Sequence, residues 1–440
     1  MSNSYPKKVK RDLFDSINHL SRVKENFVLC PGKDFTRNRK LPFKKVIMLL
    51  ISMAGSTVTK ELLDFFDFKI DTPTASSLIQ QRDKIKPEAL LYLLRDFISK
   101  YDANKKFKGH RLLAVDGSKV NIPLNLDNKE SYILSNKKSK GYNILQVNAL
   151  YDLCNKIYLD ATIQPYRKMN EHSALVKMIN RSDLSEKTIL VADRGYESYN
   201  TIAHLNNNRC GYVIRVKAPK SGMGLLFKTG FPIDTVFDKT VSVLMTRRQT
   251  NKVKNNPKLY RFLSKKSTFD FLPVGSKAVY PLSFRAVSIQ LDSGKFEYLI
   301  TNLDPDLFSP EDLKIIYKKR WGIEISFRDL KHNIGMLNFH SKKVVHISQE
   351  IYAKMILYCF CEMITLNVVI RQDQMKKYTY QVNFSIAITV CIKFLKHNDI
   401  NAPPDVEAII KRYISPVRDG RSFPREIKTQ PSKSFFYRVS

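Results

Sequence analysis

The sequence predicts a mixed α/β protein, its sheet interrupted by an all-β insertion and flanked by helical regions at both ends. Three observations carry this. Near residue 110 the spacing of apolar residues changes from helical to strand-like. Strand and helix patterns then alternate to about residue 217, and a helical pattern returns at Ser309 after a β-rich stretch. With 440 residues against about 100–200 for a usual domain, the chain divides into a helical region (1–105), a first core segment (106–217), a β-rich insertion (218–305), a second core segment (306–371) and a helical end with a basic tail (372–440).

The elements follow in order. Phe43–Ala54 is a short apolar helix, and Thr57–Phe66 continues with Leu62, Leu63, Phe65 and Phe66 as its apolar positions. Thr72-Pro73 opens a polar segment, and Pro87-Glu88 starts an amphipathic run to Ile98. The turn between Phe66 and Pro73 suits a helix-turn-helix, which would make residues 1–105 a DNA-binding region, though any small helical bundle would look the same. Arg111–Asp116, Leu145–Leu153, Ile157–Ile163, Thr188–Asp193 and Tyr212–Lys217 are β-rich runs, with helices at Glu171–Arg181 and Ser198–Asn207 between the later ones. Three strands in succession, then alternation, imply a mixed sheet whose first three strands are antiparallel. Strands at Val241–Met245, Leu282–Leu291 and Phe296–Thr301 fill the insertion, and Ile347–Ile370 and Ser385–Leu395 are the clear apolar helices beyond it.

Charge narrows the function. Hydrophobic residues make up 43% and charged ones 26%, which excludes a disordered chain. The chain carries 74 Lys+Arg against 41 Asp+Glu, a net charge of +33, and such an excess calls for a polyanionic partner. The most apolar run, Met355–Ile370, is interrupted by Glu362 and Asn367 and falls short of the roughly 20 residues of a spanning helix, so no membrane segment is expected. No apolar stretch follows the basic start, so no secretory signal is expected. The six cysteines form neither a disulfide framework nor zinc-binding spacing, which suits a reducing cytoplasm. Nucleic acid is the leading partner. The segment from Lys239 to Lys266 has nine Lys or Arg, Arg247 and Arg248 among them, and no acid; it reads as a phosphate-backbone contact or as a solvated face. The tail after Ser415 adds six more cations with Phe435, Phe436 and Tyr437.

Two aspartates, Asp116 in LLAVDGS and Asp193 in ILVADRGY, end apolar strands, and a glycine follows each within two residues. Carboxylates at the open end of an α/β sheet suit a ligand or metal site; Asp-Gly is also ordinary turn chemistry. Asp152 and Asp160 are the fallback positions. The third piece is the helix opening at Ser309, with Pro310, Glu311 and Asp312 in its first turn. At about 100° per residue, Tyr317, Arg320, Glu324 and Lys331 share a stripe about 60° wide, bordered by Ile316, Ile323 and Leu330. A salt-bridged surface would explain the charges but gives no reason for the tyrosine. Trp321, the single tryptophan, reads as a helix anchor or as a platform for a base. His172 reads as a surface or cap residue.

The pattern Tyr-x2-Arg-x3-Glu-x6-Lys at residues 317–331, with Asp116 and the DRGY stretch Asp193–Tyr196, resembles the DDE transposases of bacterial insertion sequences. More narrowly, it resembles their branch with a Tyr-Arg-Glu-Lys signature, the IS-four family. The resemblance implies an RNase H-like core in which Asp116, Asp193 and Glu324 are catalytic and hold two Mg²⁺ ions about 4 Å apart, with Mn²⁺ able to substitute. It assigns Asp116 as the bridging ligand, with Asp193 and Glu324 each completing one ion's shell. Arg320, Lys331 and Tyr317 would grip a DNA terminal phosphate. It also implies double-stranded element ends and target DNA as partners, a homodimer in synapsis, release through a DNA hairpin, and a bacterial, nucleoid-associated location. A base-flipping residue would come from the insertion, with Tyr280, Phe284, Phe296 and Tyr298 as candidates. An RNase H-like nuclease without strand transfer and a non-catalytic DNA-binding descendant are the alternatives.

Overall fold

A computed structural model describes residues 5–37, 39–101, 103–134, 141–182, 184–370, 378–396 and 405–417. The cationic tail from Arg418 onward lies outside the described residues. Five helices open the chain: α1 (Tyr5–Arg22), α2 (Phe43–Ser52), α3 (Val58–Phe65), α4 (Ala75–Arg82) and α5 (Glu88–Ser99). Thr57 and Thr74 start α3 and α4 by accepting from the amides of Lys60 and Ser77, the usual side-chain cure for unpaired first-turn donors. The connection from α3 to α4 runs over nine residues, Phe66 to Thr74, against the three or four of a helix-turn-helix, and Arg82 at the end of α4 is buried. The helical-bundle reading therefore replaces the helix-turn-helix.

The core sheet begins with β1 (Arg111–Ile122), the short β2 (Tyr132–Ile133), β3 (Tyr142–Asp152) and β4 (Ile157–Pro165). Then α6 (Glu171–Arg181), β5 (Thr188–Ala192), α7 (Tyr199–Asn207) and β6 (Gly211–Val216) alternate. β3 pairs antiparallel with both β1 and β4, while β5 runs parallel to β1 and β6 parallel to β5. That is the RNase H-like mixed sheet the resemblance implies. Alternate residues of β1 serve two cores. Ala114, Val120 and Ile122 pack with α10 (Trp321–His332) and α11 (Val344–Thr365), whereas Leu113 and Val115 pack with α6 and α7. Asp152 and Asp160 are fully buried and paired with Arg111 and Arg181, so the fallback carboxylates are structural.

The insertion contributes β7 (Phe237–Thr246), the five-residue α8 (Asn251–Asn255), β8 (Tyr260–Phe262), β9 (Val279–Gln290) and β10 (Phe296–Thr301). These strands do not form a sheet of their own. β10 pairs antiparallel with β6, Tyr298 opposite Val216, and β9, β7 and β8 follow outward, so one ten-stranded sheet runs through core and insertion. The insertion covers the edge that β6 would otherwise leave with unpaired backbone groups. α9 (Pro310–Lys319) then opens with a capping box between Ser309 and Asp312 and leads into α10.

α11 is buried on all sides over nearly its whole length, packed on α1, α2, α5 and β4. Among the described residues no helix is long and apolar enough to cross a membrane. The strands β11 (Tyr380–Val382) and β12 (Ile414–Pro416) pair antiparallel around α12 (Phe384–Lys396) and α13 (Val406–Arg412).

Candidate active site

Asp116 and Asp193 are brought level by strand register. β1 and β5 pair in parallel up to Ala114 opposite Val191, and carrying that register forward sets Asp116 beside Asp193, the first residue past β5. β1 does not stop at Asp116. It continues to Ile122 along β3, with Gly117 opposite Asn148, so this glycine serves close packing and not a turn. A side-chain carbon on Gly117 would lie 2.1 Å from Gln146 Nε2 and 2.7 Å from Asn148 Oδ1. The Asp116 carboxylate accepts from the Gly117 amide and the Asp193 carboxylate from the Gly195 amide, each at 2.8 Å.

Glu324 arrives from α10 on the face of the sheet where Asp116 points. The helical stretch from Ser309 is not one straight α-helix: the Arg320 amide bonds to Tyr317 O and the Ile323 amide to Arg320 O, a tightened turn that splits it into α9 and α10. This corrects the shared stripe. Arg320, Glu324 and Lys331 line one open cleft of about 500 Å³ with Asp116 and Asp193. Tyr317 is turned into the core beside Leu112 and Phe308, and its hydroxyl bonds to Arg215. It is not among the residues that line the cleft.

Burial pushes the Asp116 carboxyl up to about 6, and the charges of Asp193 and Glu324 add to the rise against the Gly117 amide and Arg320. Arg320 donates to Glu324 at 2.7 Å and lies over the rings of Tyr317 and Trp321. Lys331 donates to the Lys119 carbonyl at 2.9 Å, and burial lowers its ammonium pKa. The carboxylate oxygens are hard donors suited to Mg²⁺, so the residues fit a divalent cation by chemistry. They do not form a closed shell: among the described residues no group of three or more His, Cys, Asp or Glu side chains is arranged to hold a metal ion. The cleft is open and one of its acids is engaged with Arg320.

Other expectations divide. Trp321 is 55% exposed and sits beside the cleft, so it is no helix anchor. Phe284 and Tyr298 are core residues, and Tyr280 packs against Phe269 and Phe271. Arg247 donates to the carbonyls of Leu272, Ser264, Ser267 and Phe269 and so staples a loop; this corrects its reading as a phosphate contact. Arg248 is exposed. Arg248→Ala should therefore lower the slope of log affinity against log salt by about 0.9, whereas Arg247→Ala should lower Tm without that change in slope. Salt titrations and melts of both variants check this.

One cleft residue and one neighbour of the aspartates escaped the sequence. Arg328 is exposed on the cleft wall one turn after Glu324, a position the helical period could have supplied. Glu171 at the start of α6 accepts from Gln146 Nε2 at 3.0 Å, and burial followed by the Asp193 charge raises its carboxyl pKa. His172 beside it packs edge-on to Tyr196.

The chain is 24% identical over 151 residues to the "Transposase InsG for insertion sequence element IS4" of Escherichia coli (strain K12), an alignment covering 32% of this chain and 34% of the relative. It thus spans about a third of the length of that relative. A solved structure described as "Cryo-EM structure of piggyBac transposase synaptic complex with hairpin DNA" overlays with a TM-score of 0.45 at 10% identity, covering 96% of this chain and 87% of that one. The family profile described as "Transposase DDE domain" matches residues 107–360, which run from the start of the sheet through Asp116, Asp193 and Glu324 into α11. With more than half of its length inside that match, the chain belongs to the transposase DDE domain family.

Proposed function

We propose that the protein is the transposase of a bacterial insertion sequence, which binds terminal inverted repeats, cuts the element ends and joins them to target DNA. The observation that carries this reading is the meeting of Asp116, Asp193 and Glu324 with Arg320, Arg328 and Lys331 in one open cleft of a strongly cationic chain. Asp116, Asp193 and Glu324 would hold divalent cations. When bound, Mg²⁺ or Mn²⁺ ions lower the pKa of the attacking water or 3′-hydroxyl and stabilise the leaving oxygen. The protein's own groups set the geometry around the scissile phosphate. Arg320, fixed by Glu324, offers a fork for phosphate oxygens and Lys331 a point charge in the open cleft.

In the cut, an O–P bond forms from water as the P–O3′ bond breaks, and the departing 3′ oxygen takes up a proton. The freed 3′-hydroxyl then attacks the phosphodiester of the opposite strand, which closes a hairpin on the element end and releases the flanking DNA as a 3′-hydroxyl. A second water opens the hairpin at the new bond and restores the element's 3′-hydroxyl, which attacks a target phosphodiester and displaces a target 3′-hydroxyl. Two subunits would hold two ends, and the requirement for synapsis keeps single breaks rare.

The test is a Mg²⁺ reaction of the full chain with DNA carrying the inverted repeats that flank its gene, alongside pre-cut ends and a target. Cut and joined products support the reading; cutting with no joining of pre-cut ends replaces it with the nuclease alternative. Arg320→Ala should weaken binding of the cleaved terminus about tenfold or more while intact ends bind nearly as before. Competition assays with cut and uncut ends measure this, and equal losses would make Arg320 a general phosphate contact.

A further inference from the structure

A fourth carboxylate approaches the first two from the opposite face of the sheet. Glu171 opens α6, whose first turn is set by Asn170 accepting from the Ser173 amide at 2.9 Å. A side-chain carbon on Gly195 would lie 2.9 Å from Asp193 Oδ1 and 3.7 Å from Glu171 Oε2, so two acids from separate segments flank one point at the end of β5. Its other oxygen reaches the neighbour of Asp116: a carbon on Gly117 would meet Glu171 Oε1 at 2.9 Å. Glu171 thus stands between the residues that follow the two aspartates.

The second observation is independent of the acids. Gln146 and Asn148, 2% and 0% exposed, each leave the side-chain carbonyl oxygen without a hydrogen-bond partner. Their amide nitrogens are engaged, Gln146 Nε2 with Glu171 and Asn148 Nδ2 with Gln164 Oε1 at 3.1 Å. Asn148 Oδ1 crowds the same point above Gly117 as Glu171 Oε1. A buried acceptor with no donor costs about 1–3 kcal/mol, and here Asn148 Oδ1 lies beside a carboxylate whose own donor is the Gln146 amide. Hard divalent cations select such surroundings.

Resting on the function proposed above, we propose that Glu171 is a fourth cation-holding carboxylate, sharing with Asp193 a divalent ion at the end of β5. Gln146 orients it through Nε2, and the unpartnered Asn148 Oδ1 beside Glu171 Oε1 faces that ion through its water. Because Glu324 is ion-paired with Arg320, the Asp193–Glu171 pair supplies a hold for the cation that does not depend on DNA.

The experiment is a calorimetric titration of Mn²⁺ into the full chain without DNA, for wild type, Glu171→Gln, Glu171→Asp and Asp193→Asn. Glu171→Gln should weaken the Mn²⁺ affinity by about ten- to a hundredfold, with Glu171→Asp in between. Unchanged affinity in Glu171→Gln, or a wild type that binds no Mn²⁺ without DNA, overturns the inference. A second measurement needs no variant: Fe²⁺ loaded into wild type, with ascorbate and peroxide, should cut the backbone near residue 171 as well as near 193. Cutting near 193 alone also overturns it. A Glu171-dependent Mn²⁺ site in a protein that never cuts cognate DNA would leave this inference standing while removing the transposase reading.

Discussion

Glu324→Gln is expected to leave binding to element ends intact and to slow strand cutting at least about a thousandfold, roughly 4 kcal/mol of barrier. The substitution keeps the shape of the side chain and its reach from α10 while removing the charge a cation needs. It also removes one of the negative charges that press on Asp116, so the fold should not suffer. Asp193→Asn should behave alike, because Asp193 occupies the matching place past β5. Cleavage of end-labelled DNA in Mg²⁺, run beside a gel-shift titration, reads both quantities. Cutting by Glu324→Gln at near wild-type rate would remove Glu324 from the active site. Loss of binding and cutting together would mean that the residue holds the cleft's shape.

The largest stability effect should come from Glu350. Its carboxylate, 2% exposed on α11, pairs with Arg82 of α4 at 2.9 Å and accepts from the ring and backbone nitrogens of His340. Arg82, 1% exposed, also donates to Gln349 and to the His346 carbonyl. Glu350→Gln leaves a buried guanidinium without its counter-ion and should cost about 3–5 kcal/mol. Urea unfolding measures it, and a loss below about 1 kcal/mol would show that water reaches the pair.

The same group predicts acid sensitivity. Despite burial, Arg82 and His340 hold the Glu350 carboxyl down at about 2, below its usual 4.5. A depressed folded pKa means that the unfolded chain binds more protons, so this stability is complete above about 4.5 and is lost as pH falls toward 2. Burial and the Arg82 charge lower His346 to about 4, which removes stability in the same direction as pH drops below 6.5. Glu350→Gln should flatten the acid limb of a Tm–pH curve.

Much of the fold was legible in the sequence because it rests on local pattern. The strands at 188–192 and 157–165, the helix at 171–181 and the helix start at Ser309 lie within two residues of where periodicity and caps put them, and α11 overlaps most of the apolar run at 347–370. The boundaries that moved did so for tertiary reasons. β1 runs six residues beyond Asp116 because β3 pairs with it along that length, and the insertion joins the core sheet because β6 needed a partner. Tyr317 left the cleft because one tightened turn at Arg320 swings α9 relative to α10. Arg247 departs from the phosphate-contact expectation because residue type and spacing in a basic run are the same whether the cation meets phosphate or four carbonyls of its own loop.

What the sequence by itself determined is the family pattern, the charge and the three acids, since these depend on residue type and spacing along one chain. Only the tertiary structure decided that Arg328 lines the cleft and Glu171 lies near Asp193, that Glu324 is held by Arg320, and that Arg82 ties the first helices to α11. Such facts depend on distances between segments separated by tens to hundreds of residues, and those are set when sheet register and helix packing bury both faces of β1.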